Sequence, residues 1–325
     1  MTRIRPAPDG FAFHYADAAP IAHVAPWETI ELFTEDCFSG RLTHEDGQPR
    51  EVAPFPRVNP LTGPIAVEGA MPGDLLAVHF VSVEPARDWG VSTVSPNFGL
   101  LSGSRLAPNM QPAQAERVWI WQVDRAAGVV TTRARDGTPL RAWLRPFHGS
   151  VGVAPAHGEV RNSVVPDAFG GNLDLPDLAA GTTLYLRVAV PGGKLFVGDG
   201  HFAQGDGEIG GTGVEGAMHT TLRIGVVRAA DGIDWPRLET DAAIGVIGAT
   251  RPLEDAVRIA THGLVQWVAG LCGLAGDDAL QLVAQCARLR IANLVNPVFT
   301  VAAMLEKADL PRKTAIFGGV HGRLR

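Results

Sequence analysis

Hydrophobic and polar residues alternate with a period of about two over most of the stretch from residue 27 to residue 227, a pattern typical of β-strands. Residues 75–83 follow the turn Pro72-Gly73-Asp74, and residues 117–123 alternate large apolar side chains with polar or aromatic ones. Both segments predict strands. The first two thirds of the chain should therefore form β-structure with frequent turns.

Two glycine-containing turns predict hairpins in this region. Asp136-Gly137 joins the extended segments 129–134 and 140–144, and this dipeptide suits the positive φ values of a tight turn. Pro191-Gly192-Gly193 joins the segments 182–190 and 194–197. The second hairpin would lead the chain into the stretch with the highest density of polar residues.

Beyond about residue 240 the apolar residues recur at spacings of three and four, which is typical of helices. Thr250 can cap a helix whose apolar face runs from Leu253 to Val268, and Asp277 can cap a second helix. Residues 289–295 return to alternation. We therefore predict a mainly β fold with a β-rich core over residues 1–240, which carries the candidate catalytic residues, and a smaller α+β portion over residues 241–325 that packs on it.

Composition narrows the class of protein. The formal net charge is −6, and no cluster of Lys and Arg could neutralise a run of phosphates, so a nucleic-acid partner is not expected. Three cysteines in 325 residues do not make a disulfide framework. The N-terminus has no apolar signal region, and the longest apolar segment, residues 263–276, is too short to span a bilayer. We expect a cytoplasmic protein with no membrane partner.

The stretch 197–215 has the richest potential for chemistry. It contains Asp199, His201, Asp206, Glu208 and Glu215 among seven glycines. Residues two apart on a strand share a face, so Asp199 and His201 can bind one cation, and the glycines allow the turns that would bring Asp206 and Glu208 to the same point. Such a set suits Zn²⁺ with an open coordination position.

Structural alternatives for the same stretch stay open. Asp-Gly pairs are ordinary turn formers, so the stretch could be a structural loop. A calcium site is also possible, although the stretch matches neither the EF-hand pattern nor the glycine-rich nonapeptide repeat.

Three residues outside this stretch could join the site. Asp36 follows a predicted strand, where its carboxylate could complete a metal shell or cap a turn. His148 lies in a loop in which the Gly149 amide could donate to an oxyanion. Cys37 lies beside two acids, which makes its thiol harder to ionise, so we rank it below the metal.

Six segments, taken in order, resemble the acetamidase/formamidase family. They are Thr34-Glu-Asp-Cys-Phe-Ser-Gly40, Asn59-Pro-Leu-Thr-Gly-Pro-Ile-Ala-Val-Glu-Gly-Ala-Met-Pro-Gly-Asp74, Gly149-Ser-Val-Gly-Val-Ala-Pro155, Gly170-Gly-Asn-Leu-Asp174, Ala180-Gly-Thr-Thr-Leu-Tyr-Leu186 and Gly198-Asp-Gly-His-Phe-Ala-Gln-Gly-Asp-Gly-Glu208.

The resemblance implies a β-sandwich-like core joined to a smaller α+β portion, hydrolysis of short amides to acid and ammonia, a bound divalent metal and a homo-oligomer. It implies roles for the matching acidic and histidine residues. We expect Asp36, Asp199 and His201 to bind the metal, Glu208 to act as general base and Asp206 to support it.

The chain departs from the family pattern at Gly210, where many members carry a cysteine. A thiol role at that position is therefore excluded. Two other functions remain open. One is a hydrolase that uses a pair of carboxylates without metal, and the other is a metal-stabilised protein that binds small molecules without turnover.

Overall fold

The structure is a computed structural model that describes residues 2–101, 112–230, 232–312 and 314–325. Its strands are β1 (Thr2–Ile4), β2 (His14–Tyr15), β3 (Ala22–Val24), β4 (Thr29–Thr34), β5 (Leu61–Val67), β6 (Leu75–Pro85), β7 (Trp89–Val94), β8 (Arg117–Asp124), β9 (Val129–Arg133), β10 (Pro139–Trp143), β11 (Phe147–Gly152), β12 (Arg161–Asn162), β13 (Gly170–Asn172), β14 (Thr183–Arg187), β15 (Leu195–Ala203), β16 (Val214–Glu215), β17 (Met218–Val227), β18 (Arg237–Glu239), β19 (Ala243–Thr250), β20 (Arg288–Asn293) and β21 (Phe299–Glu306).

The helices are fewer and lie mostly near the C-terminus. They are α1 (Pro49–Val52), α2 (Leu253–Cys272), α3 (Gly276–Cys286) and α4 (Val320–Leu324), with 3₁₀ turns at Asp206–Glu208, Lys307–Asp309 and Ile316–Gly318.

Two large sheets form the body of the protein. The first has the strand order β1-β4-β17-β6-β14-β18-β19-β21-β20. The second has the order β10-β9-β8-β7-β16-β15-β11-β13, and β5 pairs with β15 and with β3. Strand β15 thus lies between β11 on one side and β5 followed by β16 on the other.

The two sheets pack against each other through one hydrophobic cluster. Phe80 and Leu184 enter it from the first sheet, and Ile65, Val151 and Val197 enter it from the second. All five side chains are fully buried. A sandwich of two sheets with one apolar inner face each follows from the period-two pattern. The predicted mainly β class, with a smaller helical part near the C-terminus, is confirmed.

The C-terminal portion shares a sheet with the core. Strand β18 precedes the expected boundary at residue 240, and it pairs with β19, which follows that boundary. Helices α2 and α3 cover β19 and β21 through a second cluster that includes Leu264, Val268 and Val283. The portion after residue 240 is therefore joined to the core by backbone hydrogen bonds as well as by packing.

The prediction of the first hairpin is confirmed, and that of the second is wrong. Strands β9 and β10 pair antiparallel around Gly137, whose φ is 85°. By contrast, β14 belongs to the first sheet and β15 to the second. Gly192 N donates to Ala70 O, and Val67 N donates to Gly192 O. These bonds hold the turn against β5, so the chain crosses between the sheets.

The predicted helix caps are also wrong. Helix α2 begins at Leu253 after Pro252, and Thr250 is instead the last residue of β19, paired with Phe299. Helix α3 begins at Gly276, and Asp277 lies in its first turn. Among the described residues no single helix is long and apolar enough to cross a membrane, although α2 and α3 together, bent by 117°, have the required length and composition.

Candidate active site

Strands β15 and β16 bring three ionisable side chains together. Asp199 falls opposite Gly149 of β11, between the paired residues His148↔Gly200 and Ser150↔Gly198. His201 pairs with Glu215 of β16 on its other side. Asp199 has a φ of 53°, a value that L-residues rarely adopt. Asp199 and His201 thus lie close together, as predicted, and Glu215 joins them.

The imidazole of His201 is buried and held by Gln204. The His201 Nδ1–H donates to Gln204 Oε1 at 2.6 Å. The Gln204 Nε2 donates to the backbone oxygens of Asp174 at 2.8 Å and Ala292 at 3.1 Å, which fixes the orientation of the amide. In the neutral ring the lone pair therefore lies on Nε2, as it does in histidines that bind metals.

His201 Nε2 points at two carboxylates. It lies 3.2 Å from Glu215 Oε2 and 3.6 Å from Asp199 Oδ1, yet neither His201 Nε2 nor Glu215 Oε2 makes a hydrogen bond with the described residues. Burial lowers the pKa of His201, but the Glu215 and Asp199 carboxylates outweigh it and raise that pKa well above its ordinary value. The site therefore attracts positive charge at Nε2.

Asp174 supplies a further carboxylate, which only the tertiary structure brings here. Its Oδ2 accepts hydrogen bonds from the amides of Asn172 at 3.0 Å, Asn293 at 2.8 Å and Asn296 at 2.6 Å. Its Oδ1 is buried and has no partner among the described residues. Burial, with the nearby charge of Asp199, raises the pKa of Asp174 to about 7. Oδ2 is thus fixed while Oδ1 is left to bind a ligand.

Glu208 lies on a tight turn beside these groups. Its φ is 48°, Gly207 has a φ of 83°, and Leu294 N donates to Gly207 O at 2.9 Å. Burial, followed by the charge of Asp174, raises the pKa of Glu208 well above its ordinary value. Donor atoms of Asp174, His201 and Glu208 lie within 4.8 Å of one another. The glycine-rich turn thus folds Glu208 back, as its sequence predicted.

The buried charge of the cluster is not balanced by basic side chains. Asp174, Asp199, Glu208 and Glu215 are all nearly inaccessible to solvent. Among the described residues only His201 forms an ion pair with any of them. Unpaired buried carboxylates must take up protons or bind a cation. One imidazole with several carboxylate oxygens is a donor set that suits Zn²⁺ or a similar divalent ion.

Cys37 adds a thiol beside Asp199 and Glu215. Donor atoms of Cys37, Asp199 and Glu215 lie within 4.8 Å of one another. Burial raises the pKa of Cys37 well above its ordinary value, and the Glu215 and Asp199 charges add to this effect. A thiol that resists ionisation is a weak nucleophile, which agrees with the expectation that Cys37 matters less than a metal.

Asp36, a predicted ligand, is not brought to the cluster. Its Oδ1 accepts hydrogen bonds from Phe38 N and Gly40 N, both at 2.9 Å, and its Oδ2 pairs with Arg87 Nη1 at 2.8 Å. Burial and the Glu35 charge raise the pKa of Asp36 to about 6, while its hydrogen bonds and Arg87 act in the opposite direction. This placement agrees with the alternative in which Asp36 caps a turn.

Two further predicted residues face away from the cluster. The side chain of Asp206 is 58% exposed and pairs with Arg290 Nε at 3.0 Å. The His148 Nδ1–H donates to Gly198 O at 2.9 Å, and its Nε2 accepts from Thr220 Oγ1 at 2.8 Å. Burial lowers the pKa of His148 to about 4. Both ring nitrogens of His148 are occupied, so this ring cannot bind a substrate directly.

Gly149 lies at the centre of the site for a steric reason. A Cβ atom at this position would meet Asp174 Oδ1 at 2.5 Å and Asp199 Oδ2 at 2.6 Å. Any larger residue would therefore occupy the space between the two carboxylates. The sequence indicates the Gly149 amide as an oxyanion donor, whereas in the structure the absence of a side chain at Gly149 leaves room for the two carboxylates.

An open cleft of about 500 Å³ leads to the cluster from the surface. Its lining includes Gln204, Glu208 and Gly213. A Cβ atom on Gly213 would lie 2.9 Å from His201 Nδ1, so the cleft borders the imidazole at Gly213. Glu208 is the one carboxylate of the buried cluster that lines the cleft.

The residues that hold the cluster in place cannot be recognised from their local sequence. Asp174 stands in the quoted Gly-Gly-Asn-Leu-Asp segment, yet nothing in its spacing relates it to residue 201. Asn293 and Asn296 come from the C-terminal portion, more than 100 residues away from Asp174. Their only local signal is that two amides stand three residues apart in an apolar segment.

Known proteins of one family resemble this chain. The profile of the Acetamidase/Formamidase family matches residues 8–163 and 157–243. A formamidase from Methylophilus methylotrophus is 27% identical over 266 residues, which are 67% of this chain and 64% of the relative. An acetamidase from Mycolicibacterium smegmatis is 25% identical over 60% of either chain. The chain thus matches less than two thirds of the length of these relatives.

Solved structures agree over a larger part of the chain. An acetamidase from Yersinia enterocolitica is 35% identical and has a TM-score of 0.89, with 96% of this chain and 93% of that one covered. An acetamidase from Bacillus halodurans is 31% identical and has a TM-score of 0.85, with 95% and 100% covered.

Proposed function

We propose that this chain, which belongs to the acetamidase/formamidase family, is a metal-dependent amidase that hydrolyses a primary amide to a carboxylate and ammonia. In this reaction one water molecule adds to the carbonyl carbon, the C–N bond breaks, and the nitrogen takes up a proton as it leaves. The formamidases and acetamidases that the chain resembles support this reaction class.

We propose a metal because several buried donor atoms of the cluster lack a hydrogen-bond partner. Asp174 Oδ1, His201 Nε2 and Glu215 Oε2 have no hydrogen-bond partner among the described residues. Leaving such atoms unpaired in the interior costs about 1–3 kcal/mol each. His201 Nε2 lies 3.2 Å from Glu215 Oε2, and donor atoms of Asp174 and His201 lie within 4.8 Å of each other, so a divalent cation bound at His201 would be near both carboxylates. We therefore propose these three residues as ligands, with Asp199 as a fourth candidate.

The choice of metal follows from the donor atoms. Imidazole nitrogen favours zinc over calcium, and carboxylate oxygens accept either, so zinc is the first candidate. When bound, the ion would acidify a water molecule toward neutral pH and polarise the amide carbonyl.

The protein side chains supply proton transfer and orientation. Glu208 faces the cleft, so we assign it the transfer of a proton from the attacking water to the leaving nitrogen. Burial and the charge of Asp174 raise the pKa of Glu208, so this carboxyl holds a proton more readily than an ordinary glutamate does. Gln204 fixes the ring of His201, and the asparagines around Asp174 Oδ2 fix the direction of Oδ1.

The test is ammonia release from formamide, acetamide and propionamide, before and after treatment with a chelator. Wild type is compared with His201→Ala and with His262→Ala, which removes an exposed histidine of α2. Activity should disappear on chelation, return with Zn²⁺, and be absent in His201→Ala only. Circular dichroism and metal content on the same samples distinguish loss of the ion from loss of the fold.

Other outcomes would favour the alternatives. Amidase activity that survives both chelation and His201→Ala would contradict metal dependence. Thermal stabilisation by Zn²⁺ without ammonia release would favour a non-catalytic binding protein. Chelator-resistant cleavage of a glycoside that is lost in Glu208→Gln would favour the carboxylate pair. The cytoplasmic location and the homo-oligomeric state stay predictions.

A further inference from the structure

The cleft beside Glu208 is much larger than the smallest amides. Its volume is about 500 Å³, within the range of about 300–1,000 Å³ typical of pockets for larger ligands. A water molecule takes about 30 Å³ of liquid, so the four heavy atoms of acetamide need on the order of 100 Å³. Acetamide would leave most of the cleft filled with water.

The cleft that contains Glu208 also presents large apolar groups. Trp121 and Trp143 line it, together with Ile209. The side chains of Trp143 and Ile209 are exposed, at 58% and 54% for the whole residues. Side chains of this size beside a concave site are typical of surfaces that bind an apolar ligand.

Both indole rings are held by neighbouring side chains. The Trp121 Nε1–H donates to Ser92 Oγ at 2.8 Å. The guanidinium of Arg141 lies 4.7 Å from the centroid of the Trp143 ring. Rings that are already held lose less conformational freedom when a ligand packs on them. Trp121 and Trp143 are therefore suited to bind an aromatic group. A ring that packs on them gains ring-to-ring attraction in addition to the stabilisation from the area that it buries.

We propose that this cleft is a subsite for an aromatic acyl group, so that the preferred substrates are primary amides of aryl-substituted acids, with phenylacetamide as the probe. The inference rests on the proposed amidase function. Release of ammonia requires an unsubstituted nitrogen, so any large substituent must be attached on the acyl side. With the amide at Glu208, that substituent extends along the cleft toward Trp121 and Trp143.

The experiment compares kcat/KM for phenylacetamide and for acetamide on zinc-supplemented enzyme. Wild type should prefer phenylacetamide about tenfold or more, and Trp143→Ala should reduce this ratio about tenfold. Trp143→Phe, which keeps an aromatic ring, should restore most of the ratio. The matched control is Leu140→Ala, because Leu140 is an exposed apolar residue of the same strand that does not line the cleft. This control should keep the wild-type ratio.

Each contrary outcome has a distinct meaning. A wild type that prefers acetamide, or a ratio that Trp143→Ala leaves unchanged, overturns the aromatic subsite while the amidase function stands. Ammonia release from neither amide overturns the proposed function itself. If Trp143→Ala changes the mass measured by light scattering but not the ratio of the two kcat/KM values, the apolar surface around Trp143 is an interface between subunits. The subsite proposal then fails.

Discussion

Replacement of Gly149 by alanine adds one methyl group at the most crowded point of the site. The new Cβ would lie 2.5 Å from Asp174 Oδ1 and 2.6 Å from Asp199 Oδ2, whereas ordinary contact begins at 3.4 Å. The two oxygens would have to withdraw by about 0.8–0.9 Å. The φ of Gly149 lies outside the positive region, so alanine meets no backbone strain, and the effect is purely steric.

The Asp174 carboxylate cannot withdraw freely. Its Oδ2 is held by the amides of Asn172, Asn293 and Asn296, and each of these bonds would lengthen. A displacement of about 1 Å in a catalytic group reduces the rate by roughly 10²-fold. Overpacking also costs about 1–3 kcal/mol of stability. We therefore expect Gly149→Ala to lower kcat/KM about a hundredfold and to weaken metal binding.

The assay combines ammonia release with competition for zinc against a chromogenic chelator. Gly270→Ala is the matched control, because Gly270 lies on the exposed side of α2 and a Cβ there has no neighbour within 4 Å. That control should keep full activity, and its melting temperature should stay the same or rise, since alanine favours helices by up to about 1 kcal/mol over glycine. Wild-type kcat/KM and zinc affinity in Gly149→Ala would refute the assigned geometry.

Three further predictions concern single groups. Gln204→Leu removes the acceptor of the His201 Nδ1–H, so zinc affinity should fall about 10–100-fold in the chelator competition, and an unchanged affinity would contradict the role of Gln204. Glu208→Gln should lower kcat about 10²–10⁴-fold, whereas Asp206→Asn, at an exposed position, should stay within about threefold of wild type; a loss in Asp206→Asn as large as that in Glu208→Gln would contradict this assignment. Burial, with the charges of His321 and Arg223, lowers the pKa of His79 to about 4, so the folded state favours the neutral ring. This contribution, up to about 3 kcal/mol, is present above pH 6.5 and is lost as pH falls toward 4. Urea unfolding at pH 7 and pH 4.5 should show a smaller pH dependence in His79→Gln than in wild type, and equal pH dependence would count against this shift.

The sequence by itself determined the features that depend on neighbours along the chain. Alternation of apolar residues predicted strands such as β8, because a strand with one exposed face buries every second side chain. Spacings of three and four gave α2 and α3, although not their first residues. Asp199 and His201 share a face of β15 because they are two residues apart, and the glycines around Glu208 allow a turn that returns it to them.

Only the tertiary structure decided which distant groups meet. The turn at Gly192 looks locally like a hairpin, but hydrogen bonds to the backbone around β5 direct the chain into the other sheet. Asp36 and Asp174 are both acids next to strands, and spacing cannot distinguish them. Arg87 pairs with the first, while asparagines from the C-terminal portion orient the second. Burial and pairing arise from contacts across the sheets, so the final set of ligands depends on the fold rather than on local sequence.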